Sequence, residues 1–346
     1  MDADLLLKAL IAIAPVIVLL LVFDRLDVFN LINFRDISLI LLGGGAMAAA
    51  SFLANWRVMD GFPIGFSAYS RYVAPVIEES LKAAPILVLF YYNRLGFKID
   101  AAIAGFALGA GFSVVENIWY LFELSNANVT AWLVRGFGTA MMHGGTTALF
   151  AVISHEMTER QAEQSAVRYR FNPLLFAPGL AAAMAIHSAF NHFAAQPLFI
   201  MALTLMLVPV TLFFTLARSA RATTQWLKGD EAAHRQALEE MRSGRFAASD
   251  RGRALASHFG DTTAKDALAY LELKMELVLR AEELIRASHE GAVADVGDAE
   301  REMFARLDAL EHRLGRTVVE AINSRLEFSR NDLWELGRLR ERAHGV

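Results

Sequence analysis

Tyr72-Val-Ala-Pro-Val-Ile-Glu78-Glu79-Ser-Leu-Lys82-Ala-Ala-Pro-Ile-Leu-Val-Leu-Phe90 places two adjacent carboxylates inside a run that otherwise reads as membrane-spanning. A carboxylate in hydrocarbon costs about 2.5–3.5 kcal/mol on insertion scales, and two neighbours repel as well. Such a pair persists where it faces a polar cavity, a partner or a metal. The stretch therefore marks a membrane helix and a functional site within the bilayer.

Working outward, seven segments are long and apolar enough to cross a hydrocarbon core of about 30 Å. They lie near 5–23, 36–56, 71–93, 100–122, 130–154, 174–195 and 197–217. Pro75, Pro85, Pro178 and Pro209 fall within them and are expected to kink them. Gly43–Gly45 and Gly105, Gly109 and Gly111 make the second and fourth segments suited to close backbone approach. The chain of 346 residues is 55% hydrophobic, too apolar for an ordinary soluble protein, and the apolarity is concentrated before Arg218. It has no cysteine, which excludes disulfides, thiolate catalysis and thiolate-bound zinc. A net charge of −4 gives no reason to expect a nucleic-acid partner. Met-Asp-Ala-Asp at the start lacks the basic region of a secretory signal, so the first segment reads as a retained anchor.

Loop charge sets the orientation. A long charged segment after Arg218 is most easily left in the cytoplasm, and seven spans then put the N-terminus outside. Loops expected inside carry Arg25, Arg35, Arg94, Lys98, Arg160, Arg168 and Arg170. Those expected outside, at Ser125–Val129 and Gln196, carry no Lys or Arg, although Arg57 and Arg71 break the pattern mildly. The fold class is thus all-α: a polytopic bundle of about seven spans over 1–218, followed by a soluble helical cytosolic domain over 219–346. In the latter, Leu268, Leu271, Met275, Leu279 and Ala281 mark one helix face. Phe304, Leu307, Leu310, Leu314, Val318, Ile322 and Leu326 mark another, with Gly291–Gly297 as the break between the two. Two such helices can pair as a hairpin within one chain, so self-association is not required; the second stripe is longer than a hairpin needs, and a coiled-coil homo-oligomer through 262–330 is the further expectation.

Polar residues interrupt the spans in a pattern. Lys82 is three and four residues from Glu79 and Glu78, within reach of both. Glu116-Asn117 lies on the fourth segment, His143 on the fifth, and His187 and Asn191 one turn apart on the sixth. In the orientation above, Glu78, Glu116 and His187 fall about 10, 9 and 12 Å from the outer ends of their helices at 1.5 Å per residue. His143 is somewhat deeper. Unrelated structural polars would scatter in depth. Glutamate and histidine at one depth suit activation of water: a desolvated carboxylate takes a proton, and imidazole shares that task, stabilises an oxyanion or ligates a metal. Asparagine is an uncharged oxyanion donor. Taken singly, a membrane histidine or asparagine is more often interhelical glue, and Glu79–Lys82 a buried pair; the agreement in depth favours function.

Glu78-Glu79-x-x-Lys82, Phe112-x-x-x-Glu116-Asn117, His143 and His187-x-x-x-Asn191 together resemble the motifs of the PrsW family of intramembrane proteases. That family is related to the CAAX prenyl endopeptidases and the bacteriocin-immunity-like proteases. The resemblance covers about 36–217. Ser113 stands where the family often has alanine, and the cytosolic domain lies outside the shared core. The resemblance implies an endopeptidase of membrane-anchored proteins, such as an anti-sigma factor cut on its extracytoplasmic side, in a bacterial cytoplasmic membrane. It implies Glu78 as general base with His143 helping to activate water. His187 and Asn191 would stabilise the oxyanion, and Glu79 and Glu116 would orient these groups, with Lys82 and Asn117 in support. His143, His187 and a glutamate could also make an open three-ligand zinc site. His-Glu-x-x-His is absent, however, and no cofactor is the favoured reading. The competing functions are a proton- or cation-coupled transporter or channel, against which no inverted repeat is visible, and a membrane signalling scaffold.

Overall fold

A computed structural model of the chain describes residues 3–25, 34–123, 127–164, 171–192, 196–250, 252–253, 257, 261–289, 296–323 and 328–344. Among these there are helices and no strands. The chain divides into two compact units: residues up to Gln161 with Phe171–Ala220, and the remainder from Arg221 onward with Ala162–Arg170.

The first unit contains α1 (Ala3–Arg25), α2 (Phe34–Gly61), α3 (Ala74–Tyr91), α4 (Lys98–Glu123), α5 (Val129–Leu133), α6 (Ala140–Gln164), α7 (Ala177–His192) and the first part of α8 (Pro197–Arg242). Four stretches have the length and apolarity of a membrane crossing: Arg35–Gly61, Lys98–Glu123, Pro173–His192 and Pro197–Phe214. Seven were expected. The other three segments are helical. In α3, however, Glu78, Glu79 and Lys82 break the apolar run, and in α1 that run is the shorter Leu6–Val18. Among the four, α4 is the central helix, with 83% of its apolar window buried against 17–22% for the others. The others turn Leu42, Leu53, Trp56, Leu198, Phe213 and Phe214 outward, as suits helices facing lipid.

Glycine sets how closely α4 is approached. A Cβ on Gly111 would fall 1.9 Å from the Leu41 carbonyl oxygen of α2, and one on Gly109 would fall 2.1 Å from the His143 carbonyl oxygen of α6. Helices in lipid associate through such backbone proximity rather than through a hydrophobic drive. Below the site, Ala83, Ile86, Phe90, Ala101, Ala104, Leu108, Phe150, Ala151, Phe176 and Ala183 form one apolar cluster joining α3, α4, α6 and α7.

Two segments expected to run straight from 71 and 130 instead begin with wide π-helical turns, Tyr69–Val73 before α3 and Val134–Thr139 before α6. Pro85 and Pro209 lie inside helices, whereas Pro75 and Pro178 occupy first turns. Both follow directly on a helical turn of another kind, Tyr69–Val73 and Pro173–Phe176, with right-handed helical backbone at each junction.

In the second unit, the end of α8 is joined by α9 (Arg245–Ala248), α10 (Asp261–His289), α11 (Asp298–Leu314), α12 (Arg316–Asn323) and α13 (Arg330–His344). Leu271, Met275, Leu279 and Ala281 of α10 form one core with Phe304, Leu307, Leu310, Leu314 and Ile322. The second stripe does not run along one helix: Gly315, at φ +74°, separates α11 from α12, a conformation that side chains with a Cβ rarely adopt. Of the expected break at Gly291–Gly297, residues 291–295 lie outside the described residues, as does Leu326, which ends the expected stripe.

Candidate active site

Four helices deliver the ionisable side chains to one buried cluster. From α3, Glu78, Glu79 and Lys82 are 8%, 2% and 0% exposed. Lys82 Nζ donates to Glu79 Oε1 at 2.6 Å and lies 3.1 Å from His143 Nδ1 of α6. Glu79 Oε1 also accepts from His187 Nδ1 of α7 at 2.7 Å and from Thr146 Oγ1 at 3.4 Å. Glu116 of α4 meets His143 Nε2 at 3.0 Å and Arg135 of the second π-helical turn at 3.3 Å. The His143 and His187 rings stand edge to face with centroids 4.9 Å apart, and Phe112 packs against His143 while facing the Lys82 ammonium.

The hydrogen-bond network assigns the tautomers. An ammonium has only donors, so Lys82 makes His143 Nδ1 an acceptor, and the ring proton sits on Nε2 facing Glu116. At His187 the Nδ1–H donates to the Glu79 carboxylate, leaving the Nε2 lone pair toward Glu78. His187 Nε2 and Glu78 Oε2 are 3.9 Å apart, too far for a hydrogen bond and close enough for one small group to bridge both. The other Glu78 oxygen accepts from Asn55 Nδ2 of α2 at 3.2 Å, and Tyr69 donates to Asn55 Oδ1 at 2.7 Å.

Glu78, Glu79, Glu116, His143, His187 and Lys82 thus come together. Asn191 and Asn117 lie elsewhere. Asn191 Nδ2 donates to the Ser70 carbonyl at 2.8 Å, and Ser188 to that of Arg71 at 2.6 Å, so both clip α7 to the first π-helical turn. Asn117 donates to the carbonyls of Ala12 and Arg135, tying α1 and the second π-helical turn to α4. Sequence reasoning missed Asn55, Tyr69 and Thr146. Asn55 is one residue from the end expected for the second span, about 1.5 Å against about 9–12 Å for the others, so the depth comparison passes over it; the helix in fact runs on to Gly61.

Glu78, His143 and His187 each offer one donor atom within 4.8 Å of the other two. Two imidazoles and a carboxylate with an open fourth position are the donor set of many zinc peptidases. Glu79 on the far nitrogen of His187 is the carboxylate that orients such a ligand. The set therefore fits a zinc-class ion. His143 would join it as a neutral imidazole; should Nε2 be the donor, the ring would take the other tautomer, with Nδ1 receiving a proton from Lys82 as Nε2 gives up its own.

No curated protein and no solved structure matches the chain. The family model described as PrsW family intramembrane metalloprotease matches residues 37–217, the stretch that holds every member of this cluster. The chain belongs to the PrsW family of intramembrane metalloproteases.

Proposed function

We propose that this peptidase cuts a membrane-anchored protein in the outer half of the bilayer, with Glu78 taking the proton from the attacking water. The difference between the two adjacent glutamates carries this reading. Glu79 accepts hydrogen bonds from Lys82, His187 and Thr146, which leaves it as an orienting group. Glu78 accepts one from Asn55 and otherwise faces the His187 Nε2 lone pair. As the water oxygen bonds to the scissile carbonyl carbon, its proton passes to Glu78. When the C–N bond breaks, Glu78 returns that proton to the leaving amine. In the ion-free site His187, held by Glu79, shares the proton in between and as an imidazolium faces the oxyanion; with an ion on Nε2 it would be a neutral ligand and carry no proton. Glu116 and Arg135 fix the His143 ring. Asn191, engaged by Ser70, takes a positioning role here in place of the oxyanion role that the motif alone implied.

Residues Glu78, His143 and His187 would hold a zinc-class ion, and the chemistry it supplies there is Lewis-acid activation of water. The family description and the donor triangle favour a metal, where the sequence alone favoured none. The transporter or channel reading has no comparable support.

The test uses purified protein in detergent with a labelled single-span peptide. Glu78→Gln should lower turnover at least about 100-fold with the protein still folded. Turnover near wild type would move the role to Glu79 or Glu116. Metal content of the same variant separates its two uses: metal retained marks Glu78 as base alone, and metal lost marks it as a ligand. Wild-type protein purified without metal, and indifferent to chelators, would remove the ion from this site.

A further inference from the structure

The second unit buries a cluster of ionisable groups for which peptide hydrolysis has no use. His234 comes from the last part of α8, Glu282 from α10 and Asp332 from α13. They are 8%, 1% and 1% exposed. His234 Nδ1 lies 2.6 Å from Glu282 Oε1, and His234 Nε2 lies 3.8 Å from Asp332 Oδ2. One donor atom from each falls within 4.8 Å of the other two.

Two further observations point to a ligand. Each carboxylate uses one oxygen within the protein: Glu282 Oε1 meets His234, and Asp332 Oδ2 accepts the Ser329 amide at 2.6 Å. The second oxygens, Glu282 Oε2 and Asp332 Oδ1, are buried without a hydrogen-bond partner among the described residues. A buried carboxylate oxygen so placed has lost its water with nothing in exchange. Nearby arginines serve other carboxylates: Arg235 and Arg286 pair with Glu231, and Arg280 with Glu300. Among the described residues, one imidazole meets two carboxylates here, a balance that favours a cation in the interior.

We propose that His234, Glu282 and Asp332 bind a divalent cation of the zinc class. Nitrogen and oxygen donors of this kind suit such an ion, and its bonds of about 2.0–2.2 Å set neighbouring ligand atoms somewhat over 3 Å apart, against 3.8 Å for His234 Nε2 and Asp332 Oδ2 and at most 4.8 Å among the three donors. Each ligand comes from a different helix, so the ion would staple α8, α10 and α13. It would differ from any ion in the membrane cluster by having one imidazole rather than two.

The full-length protein tests this, purified with chelator and titrated with Zn²⁺ alone. A Glu78→Gln/His187→Asn background removes donors from the membrane cluster. In that background one equivalent of Zn²⁺ should still bind. Adding Asp332→Asn or Glu282→Gln should weaken it by about tenfold or more. With Cu²⁺ in place of Zn²⁺, electron spin echo modulation should report a single coordinated imidazole. Absence of binding in the background protein, affinity unchanged by Asp332→Asn, or two coordinated imidazoles would each overturn the proposal. Should these variants misfold, hydrogen exchange of the unsubstituted protein decides. Added Zn²⁺ should slow exchange in α10, α13 and the end of α8, and no slowing there rejects the site.

Discussion

Glu78 accepts its one hydrogen bond from Asn55, at 3.2 Å, and Asn55 is in turn held by Tyr69. A hydrogen bond to a charged group contributes about 1.5–3 kcal/mol, so Asn55→Leu should lower kcat about tenfold or more while leaving KM for a single-span peptide nearly unchanged. An unaltered kcat would remove Asn55 from the site. The rest of the cluster was legible because Glu, Lys and His are costly in hydrocarbon and announce themselves one at a time. Asn55, Tyr69 and Thr146 did not, since an amide near a helix end and hydroxyls that satisfy themselves on nearby backbone are ordinary in membrane helices. Thr146, for instance, also reaches the His143 carbonyl in its own helix. Nor could residue type reveal that the Asn191 amide is taken by Ser70.

Helices were legible from apolar runs, yet their beginnings were not. A π-helical turn carries no sequence period of its own, so 69–73 and 134–139 looked like any other helix. Gly315 was visible as a glycine, but only its φ of +74° shows that it ends α11. At this scale Gly109 is the sharper test. Its Cβ would meet the His143 carbonyl at 2.1 Å, so Gly109→Ala should push α6 from α4 and displace His143. Turnover should fall at least about tenfold, since small misplacements of a catalytic group cost that much or more. Normal turnover would show that α6 can give way. In the second unit, Glu300 accepts from the Gly297 amide at 2.9 Å and from Arg280 at 2.8 Å. Burial pulls its carboxyl up, but these donors outweigh burial and hold it below the usual range. A carboxyl depressed in the folded state stabilises above its unfolded pKa of about 4.3, and that stability is lost as pH falls through the folded value. Hydrogen exchange in α11, corrected for intrinsic rates, should therefore accelerate on acidification below about pH 4. It should also be faster in Glu300→Gln at neutral pH, by about 1 kcal/mol of opening free energy. Equal protection in the variant would deny the cap its role.

For the molecule as a whole, the stripe that suggested an oligomer is buried inside the second unit, where Phe304, Leu307 and Leu310 share a core with α10. The pairing need that motivated self-association is met within one chain. A protein cut after Thr224 should keep its peptidase activity, because the matched region ends at 217. Mass photometry in detergent decides on the oligomer: fewer chains per particle after truncation would establish self-association through 262–330, and the same number for both lengths would remove it. Orientation is a separate expectation. A reporter fused after Arg218 should read cytoplasmic and one between Ser125 and Val129 extracytoplasmic. The reverse would move the cluster to the inner half of the bilayer.

The wide turn at Tyr69–Val73 has a rotational meaning. Tyr69 and Glu78 are nine residues apart, and nine steps of about 100° would leave them on opposite sides of a regular α-helix. A π-helical turn absorbs one extra residue, which cuts the offset to about 80° and lets one Asn55 side chain meet both the Tyr69 hydroxyl and the Glu78 carboxylate. The inserted residue works as a phase shifter. Drawing the same residues into a regular α-helix would rotate every side chain before the turn by about 100° against the carboxylate it now serves, whereas deleting one residue along with the turn would keep the phase.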